Sequence, residues 1–373
     1  MNGAIRVLHV VSSMEKGGIE NMLMNVYRKI DRKKVQFDFL VHSERKAEFE
    51  KEILLLGGRV YRLTQKRSAK NFFGYMDSLK SFFALHKEYA IVHCHMNALS
   101  VFPLYAAKCV GVPVRIAHSH TSKSSGKYKS VLKSVLKPFV NKFCNVRFSC
   151  SKNAGKYLFG RKAMQIGKVT IIKNGIDCER FAFRKEKRTE MRKKLLFSEC
   201  DTVLCHAGRF DKNKNQHFVL EILNALKKQN VNAKALFLGE GEDFEKAKEL
   251  SKELGLENDA VFAGVVSNVF DFLQAADVFV FPSLFEGLPL TLIEAQANGL
   301  PVFASAAVSK ECNASETVHF LPLERGVSFW TNEIQKAMPF ERESNLEKIR
   351  KAGYDSAQIA ELLQKFYLEK WCL

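Results

Sequence analysis

Short apolar runs of strand length alternate with helical stretches through both halves of this chain. That alternation restricts the fold more than any other feature. In the first half, strands are predicted over 5–11, 37–41, 59–63, 91–95, 114–119 and 146–149. Helices are predicted over 19–28, 47–56, 72–88 and 98–109, and around 129–143. In the second half, strands fit 203–207, 234–238, 261–262, 278–281 and 302–304, and helices fit 216–229, 243–254, 269–275 and 290–298. Strand and helix in turn imply a parallel sheet with helices on both faces. The theme is repeated without a sequence repeat, so two α/β domains are expected, each with its own core. A length of 373 residues suits that. The boundary falls near 173–177, giving domains 1–175 and 176–355. The charged stretch 179–194 reads as a linker plus a short helix.

Charge is distributed unevenly. Residues 1–175 carry 32 Lys/Arg against 10 Asp/Glu, whereas the remainder carries 26 against 30. Between Tyr89 and Ile176 there are 15 basic residues and no acidic one. Such a stretch faces something negative or tolerates self-repulsion. Nucleic acid, anionic lipid and a polyphosphate substrate are the candidates. Within it, Val131, Leu132, Val135, Leu136, Phe139, Val140 and Phe143 recur at helical spacing beside Lys129, Lys133 and Lys137. A basic amphipathic helix can lie on anionic lipid; a packed surface helix, kinked at Pro138, is the other reading. No apolar run reaches the roughly 18 residues that span a bilayer. The N-terminus lacks a secretory signature. The nine Cys follow no C-x-x-C spacing. A cytoplasmic protein with reduced thiols is expected.

Chemistry concentrates in residues 281–301. Glu286 lies in a Gly/Pro-rich loop after an apolar strand, and Glu294 lies inside the following helix. A loop opening a helix presents unpaired N–H groups and the positive end of the dipole, which suits an anion. A carboxylate two turns further in suits hydroxyls instead. Phosphate beside polyol suggests a nucleotide-sugar site. Gly17-Gly18 form another strand-to-helix turn that a ligand could approach closely. Arg209 and Lys214 follow a strand and fit a pyrophosphate, with Lys212 in the same loop. Two H-x-H pairs, His93/His95 and His118/His120, close strands in the basic half. Each pair falls on one strand face. A metal site is one reading, against which stands the lack of a nearby carboxylate to orient the rings. No D-x-D occurs. Gly239-Glu-Gly241 lacks the third glycine of a dinucleotide fingerprint.

The segment 281–301 resembles the E-x7-E motif of the family 4 retaining glycosyltransferases. The resemblance continues through 7–20, 91–95, 114–120, 148–155, 172–177, 208–216, 236–241 and 301–305, nearly the whole chain. It is closest to bacterial capsular and exopolysaccharide glycosyltransferases, down to the runs 37–42 and 154–160. The resemblance implies the GT-B architecture, two Rossmann-like domains facing across a cleft, with the final helix (356–373) crossing back to the first domain. It implies transfer of a sugar from a nucleotide-diphosphate donor, most often UDP-linked, to a saccharide or lipid-linked acceptor. In that scheme Arg209 and Lys214 stabilise the leaving diphosphate, and Glu286 holds the sugar. Glu294 takes the ribose hydroxyls. The amides of Gly287 and Leu288 reach a phosphate or the sugar, and Gly17 and Gly18 approach the donor. His120 lies near the reacting sugar, with His118 as its alternative and His95 on the acceptor side. No cofactor or metal is expected, because basic residues and helix starts would neutralise the diphosphate. Peripheral association with the inner face of the plasma membrane goes with a lipid-linked acceptor. An epimerase of the same fold is the nearest alternative. A basic nucleic-acid-binding protein is the alternative from another class, permitted by the charge though no recognition motif accompanies it.

Overall fold

The structure, a computed structural model, describes residues 3–15, 17–63, 71–121, 127–338 and 341–372. It divides into two compact units, 1–175 with 355–373, and 176–354. Unit 1 begins with β1 (Ile5–Val11), α1 (Gly18–Lys29), β2 (Val35–Val41), α2 (Glu50–Leu55), β3 (Val60–Arg62) and α3 (Phe72–Leu85). It continues with β4 (Ile91–Cys94), α4 (Val101–Cys109), β5 (Val114–Ser119), α5 (Lys127–Phe143), β6 (Val146–Ser149), α6 (Lys152–Phe159), α7 (Arg161–Gln165) and β7 (Thr170–Ile171). Unit 2 comprises α8 (Cys178–Phe181), α9 (Lys185–Lys194), β8 (Thr202–Ala207), α10 (Gln216–Lys228), β9 (Ala233–Leu238), α11 (Phe244–Glu253) and β10 (Ala260–Phe262). It closes with α12 (Val269–Ala275), β11 (Val278–Phe281), α13 (Leu290–Ala297), β12 (Val302–Ser305), β13 (Val318–Leu321), α14 (Gly326–Lys336) and α15 (Leu346–Lys351). The last helix, α16 (Ser356–Trp371), belongs to unit 1.

The strand orders are β3-β2-β1-β4-β5-β6-β7 and β10-β9-β8-β11-β12-β13, and every pairing is parallel. Each unit is therefore Rossmann-like. Strand order reverses beside β1 in one sheet and beside β8 in the other. Loops at the carboxyl ends of strands flanking such a reversal are where open α/β sheets bind ligands. Both faces of each sheet are covered, because the strands carry apolar residues without polar alternation. In unit 1, Val7, Phe37 and Phe39 pack against α1 and against Ile359, Leu363 and Tyr367 of α16. Leu8, Val10 and Leu40 pack on the opposite face with Tyr75, Leu79 and Leu104. A lone carboxylate in the sheet, Asp38, is buried yet satisfied by Arg6, Tyr89 and the Arg59 amide.

Departures from the predicted elements have local causes. The stretch 98–109 opens with a 3-10 turn at Asn97–Ser100 before α4, because Asn97 adopts φ 52°. The helix from Phe72 stops at Leu85, where His86 leaves helical geometry. The helix α5 runs on through Pro138. Its predicted apolar stripe splits in two. Leu136, Val140 and Phe143 face the core, whereas Val131, Val135 and Phe139 face solvent. The elements β7, β13, α6, α7, α14 and α15 are not among those predicted.

Candidate functional site

In unit 2 the loops after β8 and β11 meet. Asp211 shapes the first loop: its carboxylate accepts from the amides of Asn213 and Lys214, at 3.0 and 3.1 Å. Asn215 then turns into the left-handed region (φ 55°) and leads into α10. The Leu284 amide donates to the Asn213 carbonyl at 2.8 Å, which ties the second loop to the first. These constraints bring the Lys214 ammonium within 2.7 Å of Glu286 Oε1 and 4.5 Å above the Phe281 ring. Asn213 Nδ2 donates to the same carboxylate oxygen at 3.1 Å. Arg209 is exposed, and among the described residues only its backbone carbonyl is engaged, by Gln216. The Gly239-Glu-Gly241 turn braces this loop and forms no dinucleotide cradle. Gly208 and Phe210 donate to the carbonyls of Leu238 and Glu240, and a Cβ on Gly239 (φ 126°) would overlap the Gly208 carbonyl.

The helix start after β11 carries no side-chain cap. Pro289 occupies the cap position, so the amides of the first turn of α13 lack a side-chain acceptor. Gly287 and Leu288 lie in the loop just before it. Glu294 lies in the second turn, and desolvation pushes its carboxyl up to about 7. A hydroxyl donor would stabilise its charged form. His206, at the end of β8, escaped the sequence reading. Its Nδ1 bonds the Val280 carbonyl at 2.9 Å, and its Nε2 is buried without a hydrogen-bond partner. Burial lowers it to about 4.

In unit 1, Gly17 stands at the cap position of α1 in extended backbone, with no side-chain cap, and Gly18 is the first helical residue. Glu20 stands in that first turn, and a Cβ on Gly17 would collide with its carboxylate. The helix start offered to a phosphate thus already holds an acid. Within and just after β4 and β5 the two H-x-H pairs come together with His9, which the sequence reading missed. The signal for it was the alternation of β1, in which His9 pairs with His93 across the sheet. His9 Nδ1 lies 3.0 Å from His95 Nε2, and His95 Nδ1 lies 2.9 Å from His120 Nε2. His93 bridges the Tyr367 hydroxyl at 2.7 Å and His118 Nδ1 at 3.2 Å. Burial keeps all five rings neutral, with His9 lowered to about 3 and His120 to about 4. His9/His93/His95 and His95/His118/His120 are each close enough to hold a metal ion. The bonded pairs nevertheless stand at hydrogen-bond separation. Two ligands on one tetrahedral zinc, with Zn–N near 2.0–2.1 Å, would be about 3.3 Å apart.

The profile described as Glycosyltransferase Family 4 matches residues 16–180, and that described as Glycosyl transferases group 1 matches 187–315. The putative glycosyltransferase EpsF of Bacillus subtilis is 32% identical over 369 residues, covering 97% of this chain and 96% of its own. The capsular polysaccharide biosynthesis glycosyltransferase CapH of Staphylococcus aureus is 27% identical, covering 98% and 99%. Among solved structures, Anabaena HepE in complex with UDP and glucose superposes with a TM-score of 0.76 at 16% identity. It covers 98% of this chain and all of that one. At that identity the likeness speaks for the fold alone, which is of the GT-B type.

Proposed function

The chain belongs to the family 4 glycosyltransferases, an enzyme of polysaccharide biosynthesis, and we propose that it transfers a sugar from a UDP-linked donor to a hydroxyl of a lipid-linked saccharide, with retention. The observation that carries this reading is the Lys214–Glu286 pair beside the uncapped start of α13. A cation held by a carboxylate is available to a diphosphate, and the carboxylate it leaves is then available to sugar hydroxyls. Arg209 adds a second cation in the same loop. The two would neutralise charge as the bond between the anomeric carbon and the phosphate oxygen breaks. The amides of Gly287 and Leu288 would donate to phosphate or sugar, and Glu294 would accept from the ribose. The acceptor hydroxyl attacks on the face from which the diphosphate departs, and a departing phosphate oxygen takes its proton. No side chain is needed as base, and no metal is required. HepE was solved with UDP, which supports a UDP-linked donor here by likeness of fold.

Thermal stabilisation against UDP, GDP, ADP and their sugars, without metal, tests the donor site. A shift selective for UDP compounds is expected, and equal shifts with all nucleotides would contradict the assignment. Complete loss of transfer in excess EDTA would overturn the metal-free step.

A membrane-bound acceptor is favoured by the outer face of α5. Val131, Val135 and Phe139 are 67%, 58% and 45% exposed there. Lys142 is exposed on the same helix, and Lys137 lies over the Tyr157 ring. Anionic liposomes should carry the protein upward in a flotation gradient, and Val135→Glu with Phe139→Glu should abolish that. Equal recovery on neutral and anionic vesicles would remove this part of the proposal.

A further inference from the structure

Five histidines of unit 1, four buried and His120 half-buried, form two hydrogen-bonded chains whose proton positions are determined by chemistry. A neutral imidazole has one N–H and one lone pair. Every ring–ring link therefore needs the proton on one side only, and one link dictates the next. In the shorter chain the Tyr367 hydroxyl, fully buried, has His93 Nδ1 as its partner at 2.7 Å. It donates there, so His93 carries its proton on Nε2 and donates to His118 Nδ1 at 3.2 Å. This direction leaves His118 Nε2–H without an acceptor at hydrogen-bond distance among the described residues, although the Ile172 backbone favours a proton on that ring; the reverse would leave the tyrosine hydrogen buried and unbonded.

The longer chain is His9–His95–His120, with links of 3.0 and 2.9 Å. One direction puts an N–H on His9 Nε2, which is buried without an acceptor. His9 packs against Phe37 and Phe39, with ring centroids 4.2 and 5.6 Å away. The other direction leaves only a bare lone pair there. Orphaned buried donors are rarer than orphaned acceptors. At the outer end, His120 Nδ1 and Asn174 Oδ1 are both buried and neither has a partner at hydrogen-bond distance among the described residues, so each is the other's available complement, and the Asn174 side chain favours the protonated ring. Both ends choose the same direction. His9 donates to His95, His95 donates to His120, and His120 keeps its own proton on Nδ1.

We propose that His95, anchored by His9, is a positioning residue that holds His120 as the neutral Nδ1–H tautomer, presenting a fixed donor at the outer end of the chain. The consequence for transfer rests on the reading that His120 meets a sugar hydroxyl; the tautomer assignment does not. In this arrangement His120 Nε2 is occupied by the His95 proton, so Nδ1–H is its one remaining donor, buried beside Asn174 Oδ1. Metal binding is the competing use of these rings, and it would consume the lone pairs on which the links depend.

The test uses the full chain labelled with ring-15N histidine, with His120→Gln to assign the His120 signals. His95→Asn places an amide N–H where Nδ1–H was, and His95→Leu removes the donor. Long-range 1H–15N spectra should show His120 protonated on Nδ1 in the wild type and in His95→Asn, and a tautomer mixture in His95→Leu. His9→Phe, an apolar ring in an aromatic setting, should loosen the preference to a lesser degree; it serves as the readout if His95→Leu does not fold. An Nε2–H tautomer in the wild type, or one unchanged tautomer in every variant, would overturn the proposal. So would uptake of one equivalent of Zn2+ with loss of the ring–ring links. In transfer assays, kcat should stay within about threefold for His95→Asn and fall roughly tenfold or more for His95→Leu, with the donor KM little changed. Spectra as expected with unaltered kcat would leave the tautomer relay standing and remove His120 from the reaction.

Discussion

The two units share one fold and differ in how they treat polar groups at the ends of their central strands. Unit 1 lines that edge with five neutral imidazoles hydrogen-bonded to one another and to a tyrosine. Unit 2 lines it with charge: Lys214 on Glu286, Arg209 in solvent, and Glu294 in the next helix. The same backbone therefore supports a rigid neutral network in one case and an exchangeable ion pair in the other. Neutral links are directional and hold a fixed donor. An ion pair is readily traded for a ligand of the same sign as one partner. The difference suits the proposal that one half orients hydroxyls and the other receives a diphosphate.

The largest effect should come from unit 2. Arg209→Ala or Lys214→Ala removes a cation proposed to serve the leaving group, and kcat should fall by about 10²- to 10³-fold. Near-normal turnover in Arg209→Ala, measured at saturating donor, would refute the leaving-group role and blur the contrast between the units.

Acid should separate the units next. The buried rings of unit 1 titrate well below the usual histidine value, His9 near 3 and His120 near 4. The unfolded chain then binds more protons below about pH 6.5, so stability is intact above that pH and lost as pH falls toward 4. At pH 5.5 each such ring costs up to about 1.4 kcal/mol. Unit 1 has five such rings and unit 2 has His206. Calorimetry between pH 7.5 and 5.5 should therefore show the transition of unit 1 moving much further than that of unit 2. Parallel movement would mean that the histidines are not the acid-labile element.

Glu294 should show the opposite sign. Its folded value, about 7, lies above that of a free carboxyl. Its effect on stability is most favourable below about pH 4.5 and is lost as pH rises through 7. Glu294→Gln should raise the stability of unit 2 at pH 8 by on the order of 1–2 kcal/mol, discounted for its partial exposure, while weakening UDP binding. A destabilised Glu294→Gln unit would show that the carboxylate has a partner the fold requires.

The alternating strands and helices disclosed most of the architecture, because a parallel sheet covered on both faces needs long apolar runs. Val114–Ser119, Val146–Ser149 and Val278–Phe281 have the bounds read from the sequence. The edge strands β7 and β13 were not legible. One is two residues long, and the other carries an exposed His319. Residue types at the site were visible as motifs, but their couplings were not. That Asn213 ties the β11 loop to the β8 loop depends on a backbone bond between residues 71 positions apart. His9 stands alone in its run, and only the register with β4 makes it a member of a group. Helical spacing likewise could not say which half of the α5 stripe faces solvent.

The chain leaves unit 1 at Gly175 and returns to it at Asp355. During synthesis, then, residues 1–175 emerge without Ile359, Leu363 and Tyr367, and they wait for all of 176–354 before their core can close. The later-made unit is the first that can be completed. Its two ends are fastened together by the Ile176 amide on the Tyr354 carbonyl, at 2.8 Å. Once folded, the inserted unit shrinks a separation of well over a hundred residues to a short tether. The entropy of bringing α16 back to its sheet is thereby largely removed. Unit 2 is in this sense an assembly aid for unit 1, a role fixed by chain order alone.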